Sequence, residues 1–166
     1  MTPNTVQDST KPVLIFTWGN PSRGDDALGT QAYDLLDQEN FVDVDLLTDF
    51  QLQIEHAIDL ESRERVLFID ASANAEPPFE FYQLFPTRDD SYTTHAMSPQ
   101  SILAVYERIQ GKTAPKAFML SIRGYEFGLG LPLSEKAAEN LSEAVAYIRH
   151  LLTETPIDDW TQQTRR

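Results

Sequence analysis

One segment constrains the fold of this chain more than any other. Residues 19–29, GNPSRGDDALG, follow the short apolar run VLIFTW at residues 13–18. A continuous apolar run of this length is typical of a strand that is covered on both faces. Glycines let a backbone approach a ligand without an intervening Cβ, so a strand that leads into a glycine-rich turn and then a helix predicts the start of an α/β unit.

The turn contains two adjacent carboxylates, Asp25 and Asp26, at the predicted start of the helix. A carboxylate there caps the helix, because it accepts hydrogen bonds from free amides and its charge suits the positive end of the helix dipole. Only one residue can be the cap. The other is therefore expected at the carboxyl end of the strand, where open α/β sheets hold their ligands.

The rest of the chain alternates strand and helix patterns. Strands are predicted over residues 42–47, 66–69, 79–85 and 116–122. The first two helices are predicted from the apolar positions Ala27, Leu28, Ala32, Leu35 and Leu36, and over residues 51–60 with Leu52, Ile54 and Ile58. The last two are predicted from the Ser98 cap to Gly111, and from Ser134 with the apolar positions Ala138, Leu141, Val145, Ile148 and Leu152. Parallel strands need helical crossovers that cover both faces, so the pattern predicts a three-layer α/β/α domain. The proline-flanked segment 79–85 suits an edge strand, and we expect it to be antiparallel.

The composition of the chain limits the classes of function that it can have. The chain has 166 residues, a formal charge of −13 and no cysteine. The charge argues against nucleic acid or an anionic membrane as a partner, and the lack of cysteine excludes thiol chemistry. A polar N-terminus and the lack of a long apolar stretch predict a cytoplasmic protein. We expect one domain over residues 12–154, a disordered tail over 1–11 and a flexible tail over 155–166.

Three side chains outside any apolar face are candidates for a common site. Asp70 ends the third predicted strand, so it lies beside the turn that carries Asp26 if the first and third strands are parallel neighbours. His95 lies in a polar loop before the Ser98 cap. Separately, Asp70 fits a turn former and His95 a solvated loop residue. Together, two carboxylates and an imidazole suit a divalent transition metal.

Other partial motifs do not reach a functional pattern. His56 and His150 fall in predicted helices and are interpreted as surface residues. Ser22 has one residue too many before it for a hydrolase elbow, and Tyr106 replaces the first glycine that a phosphate-binding loop ending at Thr113 would need. The carboxylates and His95 are therefore the main chemical candidates.

Four segments together resemble the [NiFe]-hydrogenase maturation endopeptidases: GNPSRGDDALG, FIDAS, THAMSP and FGLGLPLSEKA, in order within residues 13–152. The resemblance implies an endopeptidase that removes the C-terminal extension of the hydrogenase large-subunit precursor after nickel insertion. It also implies that Asp26, Asp70 and His95 contact the nickel that the substrate carries, with no organic cofactor. The implied fold is a mixed five-stranded sheet with one antiparallel strand and helices on both sides.

One departure from that family concerns the turn after the second strand. Many members have a glycine and a threonine there, whereas this chain has TDFQ at residues 48–51. This favours the subtype that acts on cytosolic, NAD(P)-linked hydrogenases.

Two other functional classes stay open at this point. One is a nickel-sensing adaptor or metallochaperone that binds the large subunit without cutting it. The other is a nucleoside phosphorylase or a peptidyl-tRNA hydrolase, because related sheets host these activities. The acidic balance counts against a tRNA substrate. For the peptidase, a carboxylate of the cluster is the hypothetical general base.

Overall fold

Five strands form one mixed sheet in the order β2-β1-β3-β5-β4, in a computed structural model that describes residues 10–88 and 97–164. The strands are β1 (Val13–Trp18), β2 (Val44–Asp49), β3 (Arg65–Ser72), β4 (Phe79–Leu84) and β5 (Lys116–Arg123). The helices are α1 (Leu28–Asp37), α2 (Pro99–Gln110) and α3 (Glu135–Thr153), with short 3-10 helices at Gly24–Ala27, Ile54–Leu60 and Ile157–Gln163. Only β4 runs antiparallel to its neighbour among these strands, which confirms the predicted α/β class and the direction of β4.

The sheet separates two apolar cores. Ile15 of β1 packs with buried side chains of α1 and α3 on one face, and Leu14 and Phe16 pack with α2 and the Ile54–Leu60 helix on the other. Successive side chains of a strand point to opposite faces, so a strand between two helical layers is apolar throughout. The three-layer prediction is therefore confirmed.

Strand order fixes where a site can form. From β1 the chain passes to β2 on one side, and β3 lies on the other side of β1, so the carboxyl ends of β1 and β3 border a switch point. Thr17 is in register with Ile69, which places Trp18 level with Asp70. Open sheets bind ligands at such positions because the connecting chains diverge there and leave a crevice.

The sequence signals that predict the first and last residues of α2 are confirmed. Ser98 Oγ accepts a hydrogen bond from the Ser101 amide at 3.1 Å, and Pro99 occupies the first turn, where its missing amide is not needed. Gly111 ends the helix in the left-handed conformation, with φ of 66°. A capping hydroxyl and a glycine thus set both ends of this helix.

The second predicted helix differs from the observed one in its type and in the side chains that it buries. Residues 54–60 form a 3-10 helix, whose buried residues are Ala57 and Leu60, and Leu52 just before it is buried as predicted. Ile54 and Ile58, predicted to pack, are 46% and 68% exposed. Leu35 and Ala138, also expected on packed faces, are exposed as well.

Residues 155–164, the described part of the flexible tail predicted over residues 155–166, pack against the domain. Trp160 is 1% exposed, and its ring meets that of Phe118 edge-on with centroids 5.6 Å apart. Arg65 Nη2 lies 2.9 Å from Asp158 Oδ1. The prediction failed because a single tryptophan gives no periodicity, although it buries a large apolar area. Of the predicted N-terminal tail, residues 1–9 lie outside the described residues.

Within residues 10–88 and 97–164, no helix combines the length and the apolarity that crossing a bilayer requires.

Replacing Trp160 with alanine should lower the free energy of unfolding by roughly 3–5 kcal/mol, because the change removes a fully buried aromatic side chain from the core. Urea denaturation followed by circular dichroism measures this. Thr164→Ala, in the same segment but exposed, is the control and should change stability by less than about 0.5 kcal/mol. Equal stability of wild type and the Trp160 variant would contradict the observed packing.

Candidate functional site

Asp70 lies at the carboxyl end of β3, on the face of the sheet that α2 covers. Its Oδ1 accepts a hydrogen bond from the Ala71 amide at 2.8 Å. Burial raises the pKa of Asp70 to about 7, and the charge of Asp26 contributes to the rise against the opposing hydrogen bonds from Ala71 and the Trp18 side chain. A carboxyl group with this pKa is about half protonated at neutral pH, so it can exchange its proton for a cation.

Asp26 is held by the turn that follows β1. Its Oδ2 accepts a hydrogen bond from the Asn20 amide at 2.7 Å. Gly19, with φ of +149°, lets the chain close this turn, because a Cβ there would lie 2.1 Å from the Asp26 carbonyl oxygen. The charge of Asp26 contributes to the raised pKa of Asp70, so the two carboxylates lie near each other, and their joint role in one site stays a prediction.

His95, the third predicted member, lies outside the described residues. The chain is defined again from Met97, whose amide donates to the Leu52 carbonyl oxygen at 2.9 Å. In the described parts of the chain, no group of three histidine, cysteine, aspartate or glutamate side chains is arranged to hold a metal ion. Asp26 and Asp70 therefore lie near each other, and their role as metal contacts together with His95 stays a prediction.

Asp25 has a role that the sequence reasoning missed. Its carboxylate is fully buried and accepts hydrogen bonds from the amides of Tyr125, Glu126 and Ser134, at 2.7, 3.0 and 2.8 Å, and from Ser134 Oγ at 2.8 Å. Burial would raise the pKa of Asp25, but these hydrogen bonds together hold it below its ordinary value. Asp25 therefore joins the glycine-rich turn to the loop before α3.

Neither aspartate caps its own helix, which corrects the prediction that one of them would. The Gly24–Ala27 helix begins without a side-chain cap, and so does α1. Ser134, to which Asp25 is bonded, caps α3 by accepting from the Ala137 amide at 3.3 Å. The charge of Asp25 thus acts at the start of a helix more than a hundred residues away, which local sequence patterns do not indicate.

The Trp18 ring lies beside Asp70 and packs against two further aromatic rings. Trp18 meets Phe68 edge-on with centroids 5.9 Å apart, and Phe16 is 6.2 Å from Trp18. The Trp18 side chain is also a hydrogen-bond partner of Asp70. Sequence reasoning placed Trp18 in the strand alone, although a tryptophan at the end of an apolar strand, level with a predicted carboxylate, was an available signal.

His56 lies in the Ile54–Leu60 helix that follows β2, and its contacts hold this segment in place. Its Nδ1 accepts a hydrogen bond from the Gln53 amide at 2.8 Å, so the neutral ring carries its proton on Nε2, which lies 3.2 Å from Asp49 Oδ2. Both ring nitrogens are therefore occupied. The ring is also 4.5 Å from that of Phe16, so His56 is packed more closely than the predicted surface position implies.

Comparison with known proteins supports the fold at this point. No family model and no curated protein sequence matches the chain. Solved structures do. The [NiFe] hydrogenase maturation protease HycI from Thermococcus kodakarensis KOD1 is 22% identical with a TM-score of 0.66, covering 87% of this chain and 94% of that one.

Two further structures agree. The hydrogenase maturating endopeptidase HybD from E. coli is 18% identical, with a TM-score of 0.66 and coverage of 86% and 93%. The hydrogenase 2 maturation peptidase from Thaumarchaeota archaeon SCGC_AB-539-E09 is 23% identical, with a TM-score of 0.60 and coverage of 86% and 99%. The chain thus has the fold of solved hydrogenase maturation proteases, over nearly the whole of each.

The adjacent aspartates should respond differently to the same isosteric change. In Asp25→Asn, an NH2 group replaces one of the two carboxylate oxygens. Both oxygens accept hydrogen bonds and an NH2 group cannot, so at least one buried donor loses its partner. We expect a loss of roughly 2–4 kcal/mol in the free energy of unfolding. Asp26→Asn retains an oxygen for the Asn20 amide and should change stability by less than about 0.5 kcal/mol. Urea denaturation compares the pair, and equal losses would contradict these assignments.

Asp70→Asn should stabilise the protein in a pH-dependent manner. The folded-state pKa of about 7 exceeds the ordinary value of 3.8, so the native state binds more protons than the unfolded state between these values. As the pH rises, the free energy of unfolding of the wild type should therefore fall relative to that of the variant by about 1.4 kcal/mol per pH unit over much of this interval. Denaturation midpoints from pH 4 to pH 8 measure the slope. A pH-independent difference would contradict the raised pKa.

Proposed function

We propose that this protein is an endopeptidase that removes the C-terminal extension of a [NiFe]-hydrogenase large-subunit precursor after nickel has been inserted. The observation that carries the proposal is the pairing of Asp26 and Asp70 at the switch point of a sheet with the maturation-protease fold. The sequence resemblance around these two residues supports the same conclusion.

The nickel belongs to the substrate in this proposal. Asp26 and Asp70 supply carboxylate oxygens and His95 supplies an imidazole nitrogen, a set that suits a divalent transition metal. A nickel ion already bound by the precursor's thiolates would displace the proton of Asp70 and relieve its repulsion with Asp26. Precursor without nickel lacks this contact, so the metal content of the substrate controls cleavage.

Hydrolysis requires an activated water and stabilisation of the oxyanion. A carboxylate oxygen that coordinates nickel is not free to accept a proton at the same time. We therefore assign the three residues first to recognition of nickel, and the general base to a carboxylate oxygen of the cluster that is not engaged with the ion. Backbone amides of the glycine-rich turn or the nickel itself polarise the scissile carbonyl.

The finer assignment concerns the substrate and the compartment. Residues 48–51 replace the glycine-threonine turn of many maturation peptidases, which supports a precursor from a cytosolic, NAD(P)-linked hydrogenase and a cytoplasmic site of action. Comparing the cleavage rates of such a precursor and of a precursor from a membrane-bound hydrogenase tests this choice.

Asp26→Asn, Asp70→Asn and His95→Ala should each reduce processing of nickel-loaded precursor at least a hundredfold without unfolding the protein. Asp26 and Asp70 are not part of either apolar core, and His95 belongs to the proposed set of metal contacts. Intact-mass analysis of the precursor measures the cleavage, and circular dichroism checks the fold. Glu126→Gln, which alters a nearby charge outside the cluster, is the control and should process normally.

Wild-type protein should cut nickel-loaded precursor and leave nickel-free precursor intact. Equal cleavage of both would remove nickel recognition from the proposal. Stable binding with no change in precursor mass would favour the adaptor or metallochaperone instead. Phosphorolysis of a nucleoside or hydrolysis of peptidyl-tRNA would assign the third class.

A further inference from the structure

Strand β2 is an edge strand with unused backbone groups. Among the described residues it pairs with β1 alone, and the amides of Val13 and Gly19 donate to the carbonyl oxygens of Asp43 and Asp49, both at 3.2 Å. The amide and carbonyl of one strand residue point to the same side, and the sides alternate along the strand. The main-chain groups of Val44, Leu46 and Thr48 therefore point away from the sheet.

This open edge leads directly to the candidate site. The hydrogen bond from Gly19 to Asp49 joins the end of β2 to the turn that carries Asp26. A shallow cavity of about 270 Å³ lies at the junction and is lined by Gly19, Pro21, Thr30, Thr48, Asp49 and Phe50. Phe50 is 63% exposed, and Val42, before the other end of β2, is 80% exposed.

The opposite edge of the sheet, strand β4, differs from β2 in its direction and in its neighbours. Strand β4 runs antiparallel to β5, and the Ile157–Gln163 helix packs beside it. Thr161 Oγ1 donates to Gln83 Oε1 at 3.1 Å across that contact. Strand β2 contacts α1, but no hydrogen bond to the main-chain groups of Val44, Leu46 or Thr48 is found among the described residues. Unpaired main-chain groups of this kind can pair with a further strand.

Acidic side chains in the β2 region offer an alternative explanation, since charges also protect edges from pairing. However, Asp45 forms an ion pair with Arg63, and Asp49 is bonded to His56. The backbone groups of both aspartates face β1. The outward-facing positions 44, 46 and 48 are valine, leucine and threonine, which favour strand pairing and carry no charge.

We infer that the C-terminal extension of the precursor adds to β2 as a sixth strand, with one of its side chains in the cavity beside Phe50. This inference rests on the proposed function. Strands pair about 4.8 Å apart, so the added segment would lie about 10 Å from β1 and about 15 Å from β3. Roughly three to five extended residues span that distance from a nickel ion at Asp26 and Asp70. The chain's charge of −13 favours an extension that is neutral or basic.

Amide hydrogen exchange tests the pairing without requiring cleavage. The probe is a synthetic peptide with the sequence of the extension, added at saturating concentration to isotope-labelled wild-type protein and followed by NMR. Exchange at Leu46 and Thr48 should slow at least tenfold. The amides of Leu47 and Asp49, which already face β1, are internal controls and should change little.

A proline substitution tests the same hydrogen bonds during processing. Thr48→Pro removes an amide that faces outward, so pairing with β1 is retained. Thr48→Ala is the matched control, because both variants lose the 2.9 Å hydrogen bond from Thr17 Oγ1 to Thr48 Oγ1. We expect kcat/KM on nickel-loaded precursor to be at least tenfold lower for Thr48→Pro than for Thr48→Ala, mainly through KM.

Unchanged exchange at Leu46 and Thr48 with bound peptide, or equal kcat/KM for two folded Thr48 variants, would overturn the inference. Slow exchange at both amides in the free protein, with a doubled mass in sedimentation, would also overturn it, because a second copy would then occupy the edge. Failure of wild type to cut nickel-loaded precursor is a separate result and concerns the proposed function, since peptide binding does not require cutting.

Discussion

The buried carboxylate of Asp25 organises the region around the site. Four donors from the loop before α3 converge on it, and they hold its pKa down despite full burial. An ionised carboxylate with several hydrogen bonds tolerates the interior, whereas an unpaired one would not. Its neighbour Asp26 does not join this network and accepts a hydrogen bond from the Asn20 amide instead. One member of the doublet therefore serves the fold, and the other belongs to the site in the proposed function.

Electrostatic conditions at Asp70 differ from those at Asp25, although both are carboxylates at the same end of the sheet. Asp25 has enough donors to remain charged. Asp70 has fewer, and the charge of Asp26 lies nearby, so its pKa rises to about 7. A carboxyl group with this pKa loses its proton when a cation binds, which is the property that the proposed recognition of a metal on a partner requires.

In the proposed function, the arrangement of the sheet links recognition of the metal with recognition of the peptide. The switch point places the carboxylates beside β1 and β3, and the same strand order leaves β2 at the edge next to them. A substrate that presents both a metal centre and an extended tail could contact the two features at once. Each contact alone would be weak, so discrimination between finished and unfinished substrate would arise from their combination.

The amino-acid sequence was sufficient for the α/β class and the limits of β1 and α2, because these follow from short-range periodicity and caps. Tertiary packing decided the rest. Trp160 is buried and Ile58 is exposed because of neighbours that are remote in the chain. Asp25 differs from Asp26 because its donors are about a hundred residues away, at Tyr125 and Ser134. Local patterns contain no information on such partners, since chain folding alone brings them together.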